Sequence, residues 1–261
     1  MKKPEPTARM YQRVIDAKPA IVIVDERFLT PIARRALTAC VIATAQYAER
    51  DEDGLPAPET IEQLDLLDEH VAAAADQCSG VLAASLTTDG HRTWLLYGAK
   101  SEPLLRAVAA GAKAGGPMRA GIAIGAQVGI VVRAESDPNW EKYSGVLPTV
   151  EEKRWNDDLA VIEQLEEFGD DPAAVRPIEH LASFPNESAR KEFMPWLREN
   201  GFEVLMEYAK PDKSGWPIEF SIHSQIDIDE IFEQTCAITV EVERLGGTYD
   251  GWQTRAVQNE L

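Results

Sequence analysis

The sequence predicts an α+β protein of two tandem antiparallel sandwiches, and three observations predict it. The chain is 261 residues long, more than one small core needs at about 100 to 200 residues per domain. The same order of elements, β-α-β-β-α-β, is readable in residues 1–150 and again in residues 151–261. The two halves also differ in charge. Residues 151–261 hold 25 Asp and Glu against 10 Lys and Arg, a net of −15, whereas residues 1–150 hold 19 against 16, a net of −3.

In the first half, LTACVIATAQY at 37–47 reads as a buried strand. The turn Asp53-Gly54-Leu55-Pro56 leads into a helix with Ile61, Leu64, Leu67, Val71 and Ala75 at helical spacing. VLAASLTT and RTWLLYGA form a hairpin around Asp89-Gly90, a pair that accepts the positive φ angles of a tight turn. Ser101 opens a second helix carrying Leu104, Leu105 and Val108, and the apolar run ending GIVVRAES supplies the fourth strand. Trp140, Tyr143, Leu147 and Trp155 are expected to cover the junction of the two halves.

The second half opens on a helix over 152–168 with Trp155, Leu159, Ile162 and Leu165 on one face, closed by Gly169. The strand VRPIEHLASF follows, then a helix over 186–200 in which Pro195 predicts a kink or a late start. FEVLMEYA and WPIEFSIHS alternate as two strands around a turn at Pro211 to Gly215. Asp227 with Glu230 resembles a capping box and opens a helix burying Ile228, Ile231, Phe232, Thr235, Val242 and Leu245. Gly246 or Gly247 ends it, and TYDGW makes the last strand with a bend or bulge at Asp250-Gly251. Both halves thus predict ferredoxin-like sandwiches of strand order 4-1-3-2, with the last strand beside IEHLASF and Glu179-His180 as its neighbours.

Several function classes are excluded. The apolar runs are too short for a transmembrane helix, and no signal core follows the Met-Lys-Lys start, so a cytoplasmic protein away from membranes is expected. Cys40, Cys78 and Cys236 lack metal or disulfide spacing, and no HExxH, P-loop, G-x-S-x-G or G-x-G-x-x-G appears. No catalytic residue, metal or cofactor is therefore expected. The aromatics offer stacking surfaces for RNA, but the acidic half would repel phosphates, so they read as packing and no direct nucleic-acid binding is expected.

The second half resembles the regulator of ribonuclease E activity B (RraB) family in its leading acidic helix, VIEQLEEFGDDPAAVRPIEHLASF, the ENGFEV helix exit and the closing TYDGW. The first half is similar to a bacterial domain of unknown function, the DUF six-nine-five type, in DGLP, TTDGHRTWLLYGA and DPNWEKYSGVLP. The resemblance implies a protein-binding regulator that attaches to ribonuclease E, or another basic RNA-processing protein, and is not an enzyme. This sequence departs from the family by lacking a long acidic tail after YDGW and by carrying the extra N-terminal domain. The expected partner-binding residues are Glu179, His180, Tyr249, Asp250 and Trp252. Two alternatives stay open: an enzyme or small-molecule module in residues 1–150 with a polar site at Asp53, His91 and Asp137, and a protein that forms homodimers through an open sheet face.

Overall fold

The computed structural model describes residues 7–114, 130–208 and 215–258. The chain divides into two units, Met1–Thr149 and Val150–Leu261. The apolar run at 121–129 and most of the turn at 211–215 lie outside the described residues.

The first unit holds the expected β-α-β-β-α-β order in β3 (Ala39–Gln46), α2 (Pro58–Gln77), β4 (Val81–Thr88), β5 (His91–Gly98), α3 (Ser101–Ala114) and β6 (Val131–Ser136). Leu64, Leu67, Val71 and Ala75 of α2 are buried with Leu104 and Val108 of α3 against Val41, Ala43, Trp94 and Leu96, while Ile61 is exposed. Two further strands precede this set, β1 (Ala8–Ile15) and β2 (Lys18–Asp25), and β2 pairs with β4. The sheet therefore has six antiparallel strands, in the order β1-β2-β4-β5-β3-β6.

The other face of this sheet is also covered. A 3-10 turn (Glu26–Leu29), α1 (Pro31–Arg34) and α4 (Glu141–Val146) bring Phe28, Trp140 and Tyr143 onto Tyr11, Val22, Cys40, Ile42 and Tyr97. Trp140 stacks on Tyr97 at 3.7 Å between ring centroids, and its Nε1–H donates to the Leu37 carbonyl at 2.7 Å. Trp140 and Tyr143 thus belong to the core of the first unit, where sequence alone had set them at the junction.

The second unit runs α5 (Val150–Glu167), β7 (Arg176–Phe184), α6 (Glu187–Glu199), β8 (Glu203–Glu207), β9 (Trp216–Ser224), α7 (Ile228–Arg244) and β10 (Thr248–Gln253). Its four antiparallel strands take the order β10-β7-β9-β8, the ferredoxin-like 4-1-3-2 arrangement. The Asn186 side chain caps α6, which continues through Pro195. Pro195 is exposed, so the carbonyl left without a proline N–H donor faces water. Asp227 caps α7, accepting from the amides of Asp229 and Glu230. Gly246 ends α7 at φ +72°, and the register shifts at the bulge between Tyr249 and Gly251, where Gly251 takes φ +115°.

Candidate functional site

Strand alternation divides the last strand and its neighbour between two environments. The last strand lies beside IEHLASF with Glu179 and His180 as its neighbours, as the sequence predicts, and the register pairs Trp252 with His180 and Gln253 with Glu179. His180, Tyr249 and Trp252 turn toward the helices and are buried. Tyr249 Oη–H donates to His180 Nδ1 at 2.8 Å, and His180 Nε2–H donates to Gln234 Oε1 of α7 at 3.1 Å. The His180 ring stacks on Phe220 and meets Phe202 edge-on. Burial lowers its pKa to about 4, opposed by the Gln234 hydrogen bond, so the ring is neutral. The same burial raises the Tyr249 hydroxyl.

Behind this pair stands Asp158 of α5, which is 1% exposed. Its carboxylate accepts from Trp252 Nε1–H at 2.9 Å and from the Thr235 hydroxyl at 2.6 Å. Burial raises its pKa to about 6 against the pull of those two donors. The IEH and YDGW motifs thus tie the sheet to α5 and α7 from inside. Asp158 and Gln234 escaped sequence reasoning. Asp158 carried a signal, since with Trp155, Ile162 and Leu165 it falls on the 3-4-3 spacing of an apolar stripe.

The opposite face of the sheet holds the remaining two expected residues. Glu179 accepts from Gln253 Nε2–H at 3.1 Å, and Asp250, at the bulge, accepts from the Ser183 hydroxyl at 3.2 Å. Register sets Leu181, Glu219 and Met206 in one row across β7, β9 and β8, and Glu179, Ser221 and Glu203 in the next. Leu181 and Met206 are 37% and 49% exposed. Among the described residues, no Lys or Arg forms an ion pair with Glu179, Glu203 or Glu219. The result is an acidic face with apolar centres.

In the first unit the structure does not gather Asp53, His91 and Asp137. Asp53 is an exposed turn residue whose amide donates to Asp51 Oδ1 at 3.0 Å. His91 begins β5, its Nδ1–H donating to the Asp89 carbonyl at 2.8 Å. Asp137 follows β6 at the other end of β5, about 20 Å away at the usual rise per strand residue. It is buried, and accepts from Tyr97 Oη–H at 2.6 Å and from the amides of Glu141 and Lys142 that open α4. Burial would raise its pKa, but those hydrogen bonds hold it lowered. Asp137 is thus a structural cap. Among the described residues, no group of three or more His, Cys, Asp or Glu is arranged to hold a metal, and no helix is long and apolar enough to cross a membrane. Of the aromatics that offered stacking surfaces, Trp94, Tyr97, Trp140, Tyr143, Tyr249 and Trp252 are buried, and Trp216 is half-buried with the Arg190 guanidinium over its ring.

Comparison with known proteins agrees with both resemblances. A family model described as Regulator of ribonuclease activity B matches residues 155–254, and one described as Family of unknown function (DUF695) matches residues 9–147. The first match supports regulation of ribonuclease activity as the general class of function. No curated protein matches the chain. Among solved structures, the chain is similar to an unknown protein from Galdieria sulphuraria, at 11% identity and a TM-score of 0.22, over 82% of this chain and 96% of that one.

Proposed function

We propose, from the premise that this chain belongs to the DUF695 family of unknown function and is similar over 155–254 to the family described as Regulator of ribonuclease activity B, that its second unit is a protein-binding regulator. Its acidic sheet face receives a basic segment of ribonuclease E or of a related RNA-processing complex in the cytoplasm. The observation that carries this reading is the cluster Glu179, Glu203 and Glu219 around Leu181, without cationic partners among the described residues. Such a face steers a basic partner and holds it through the apolar centre. Glu179 and Asp250 contact the partner directly, while His180, Tyr249 and Trp252 hold the strands that display them.

The test is retention of a ribonuclease E scaffold segment by the full chain carrying Glu179→Lys, Glu203→Lys and Glu219→Lys together, with the circular dichroism spectrum unchanged. At least tenfold weaker binding is expected, and wild-type binding should weaken with salt. Retention equal to wild type removes this face from the interface. A homodimer through the same face would bring two acidic surfaces together, which favours a monomer, and light scattering reads that directly.

A further inference from the structure

The sheet of the second unit ends on β8, which pairs with β9 on one side only. Alternation along a strand turns about half of its backbone N–H and C=O groups toward the other side, where no strand lies among the described residues. Such an edge accepts an extended chain unless its side chains forbid it. Glu203, Leu205, Met206 and Glu207 are exposed, and Val204 alone turns toward the core, opposite Phe220. The row Leu181, Glu219, Met206 of the acidic face finishes at this edge, whereas at the β10 edge it finishes on Gly251, which has no side chain.

The side chains of β8 select the chain that fits. The register shift between Val204 and Met206 makes Leu205 the extra residue of a bulge, and Leu205 is as exposed as Met206, at 48% and 49%. Two apolar side chains therefore stand together on the edge, between Glu203 and Glu207. Arg190 reaches Glu207 at 3.6 Å, and no cation pairs with Glu203 among the described residues. A second copy fits this edge poorly. Two β8 strands paired antiparallel about Leu205 would set Glu203 of one copy opposite Glu207 of the other, and like charges directly opposite each other are destabilising. The same glutamates favour a strand with Lys or Arg at those positions.

We infer that β8 is the docking edge of the acidic face, and that the basic segment of the partner adds to it as an extended strand. Its main chain bonds to β8, its Lys or Arg side chains lie opposite Glu203 and Glu207, and an apolar side chain between them rests on Leu205 and Met206. The inference rests on the regulator reading for the identity of the partner. It adds the conformation in which that partner is held and the strand that holds it.

The test is amide hydrogen exchange of the full chain with an alternating Lys-Val nonapeptide, and with the same peptide methylated at every backbone nitrogen. With the first, exchange over residues 203–207 should slow at least tenfold at saturation, because outward amides become bonded. The methylated peptide keeps the charge and side chains but has no N–H to donate, and should bind at least tenfold more weakly. Leu205→Lys, at an exposed position, should leave the fold intact and weaken binding of the first peptide at least fivefold, since an edge lysine repels a basic strand. Equal binding of both peptides with exchange over β8 unchanged overturns strand addition, and so does failure of the first peptide to bind. Neither result touches the regulator reading, which falls separately if the chain with Glu179→Lys, Glu203→Lys and Glu219→Lys retains the ribonuclease E segment as wild type does.

Discussion

The two units share the four-strand order 4-1-3-2, which the first extends by β1 and β2, and treat the second face of the sheet in opposite ways. In the first, Phe28, Trp140 and Tyr143 close that face over Tyr97 and Ile42. In the second, the equivalent face carries Glu179, Leu181, Glu219 and Met206, and Leu181 and Met206 remain well exposed. The topology therefore does not determine whether that face is covered; the side chains set on it, apolar in the first unit and mixed acidic and apolar in the second, decide it.

The largest effect that would break this contrast is at Trp140. Trp140→Ala removes a stacked, hydrogen-bonded ring from a closed face, and a loss of about 3 to 5 kcal/mol is expected in urea denaturation. A loss below about 1 kcal/mol would mean that the cover is dispensable, and the two faces would be alike.

Next in size is a pH effect inside the second unit. Burial keeps His180 neutral down to about pH 4, whereas the unfolded side chain takes its proton near 6.5. Its contribution to stability is therefore lost as pH falls from about 6.5 to 4, by about 3 kcal/mol. Asp158 acts in the reverse sense. Its pKa rises from 3.8 unfolded to about 6, so its contribution is full below 3.8 and lost as pH rises through 6, again by about 3 kcal/mol. The two offset each other between pH 4 and 6. Asp158→Asn should expose the histidine dependence, with melting temperature falling from pH 6.5 to 4, and His180→Gln should expose the opposite slope. Identical slopes in the two variants would show that neither group is buried as described.

The smallest effect sharpens the comparison. Leu181→Ala on the acidic face should change stability by less than about 0.5 kcal/mol while weakening partner capture severalfold. A large loss of stability there would mean that the face is covered within the folded chain.

Much of the fold was legible because local signals agreed with tertiary ones. Asp89-Gly90 marked a hairpin, and the Asp250-Gly251 bulge and the pairing of TYDGW with IEH followed from turn chemistry and element order. The β1–β2 hairpin was not foreseen. Its turn uses Asp16 and Ala17 at φ 51° and 61°, and alanine there gives no turn signal, although the apolar run AIVIVD was a readable strand. At the site, alternation already separated Glu179 from His180. Which of the two would be buried depended on α5 and α7, whose placement no local pattern states.

The bond from Asp158 to Trp252 also has a bearing on how the unit is made. It joins the helix synthesised first to the strand synthesised last. While a ribosome is still adding residues before β10, α5 lacks the indole its carboxylate binds, and β7 has a vacant edge where β10 will pair. Closure of this unit therefore waits on its final strand. Nascent chains stalled before residue 248 should show α5 open to protease, and those extended past Trp252 by the length of the exit tunnel should show it protected.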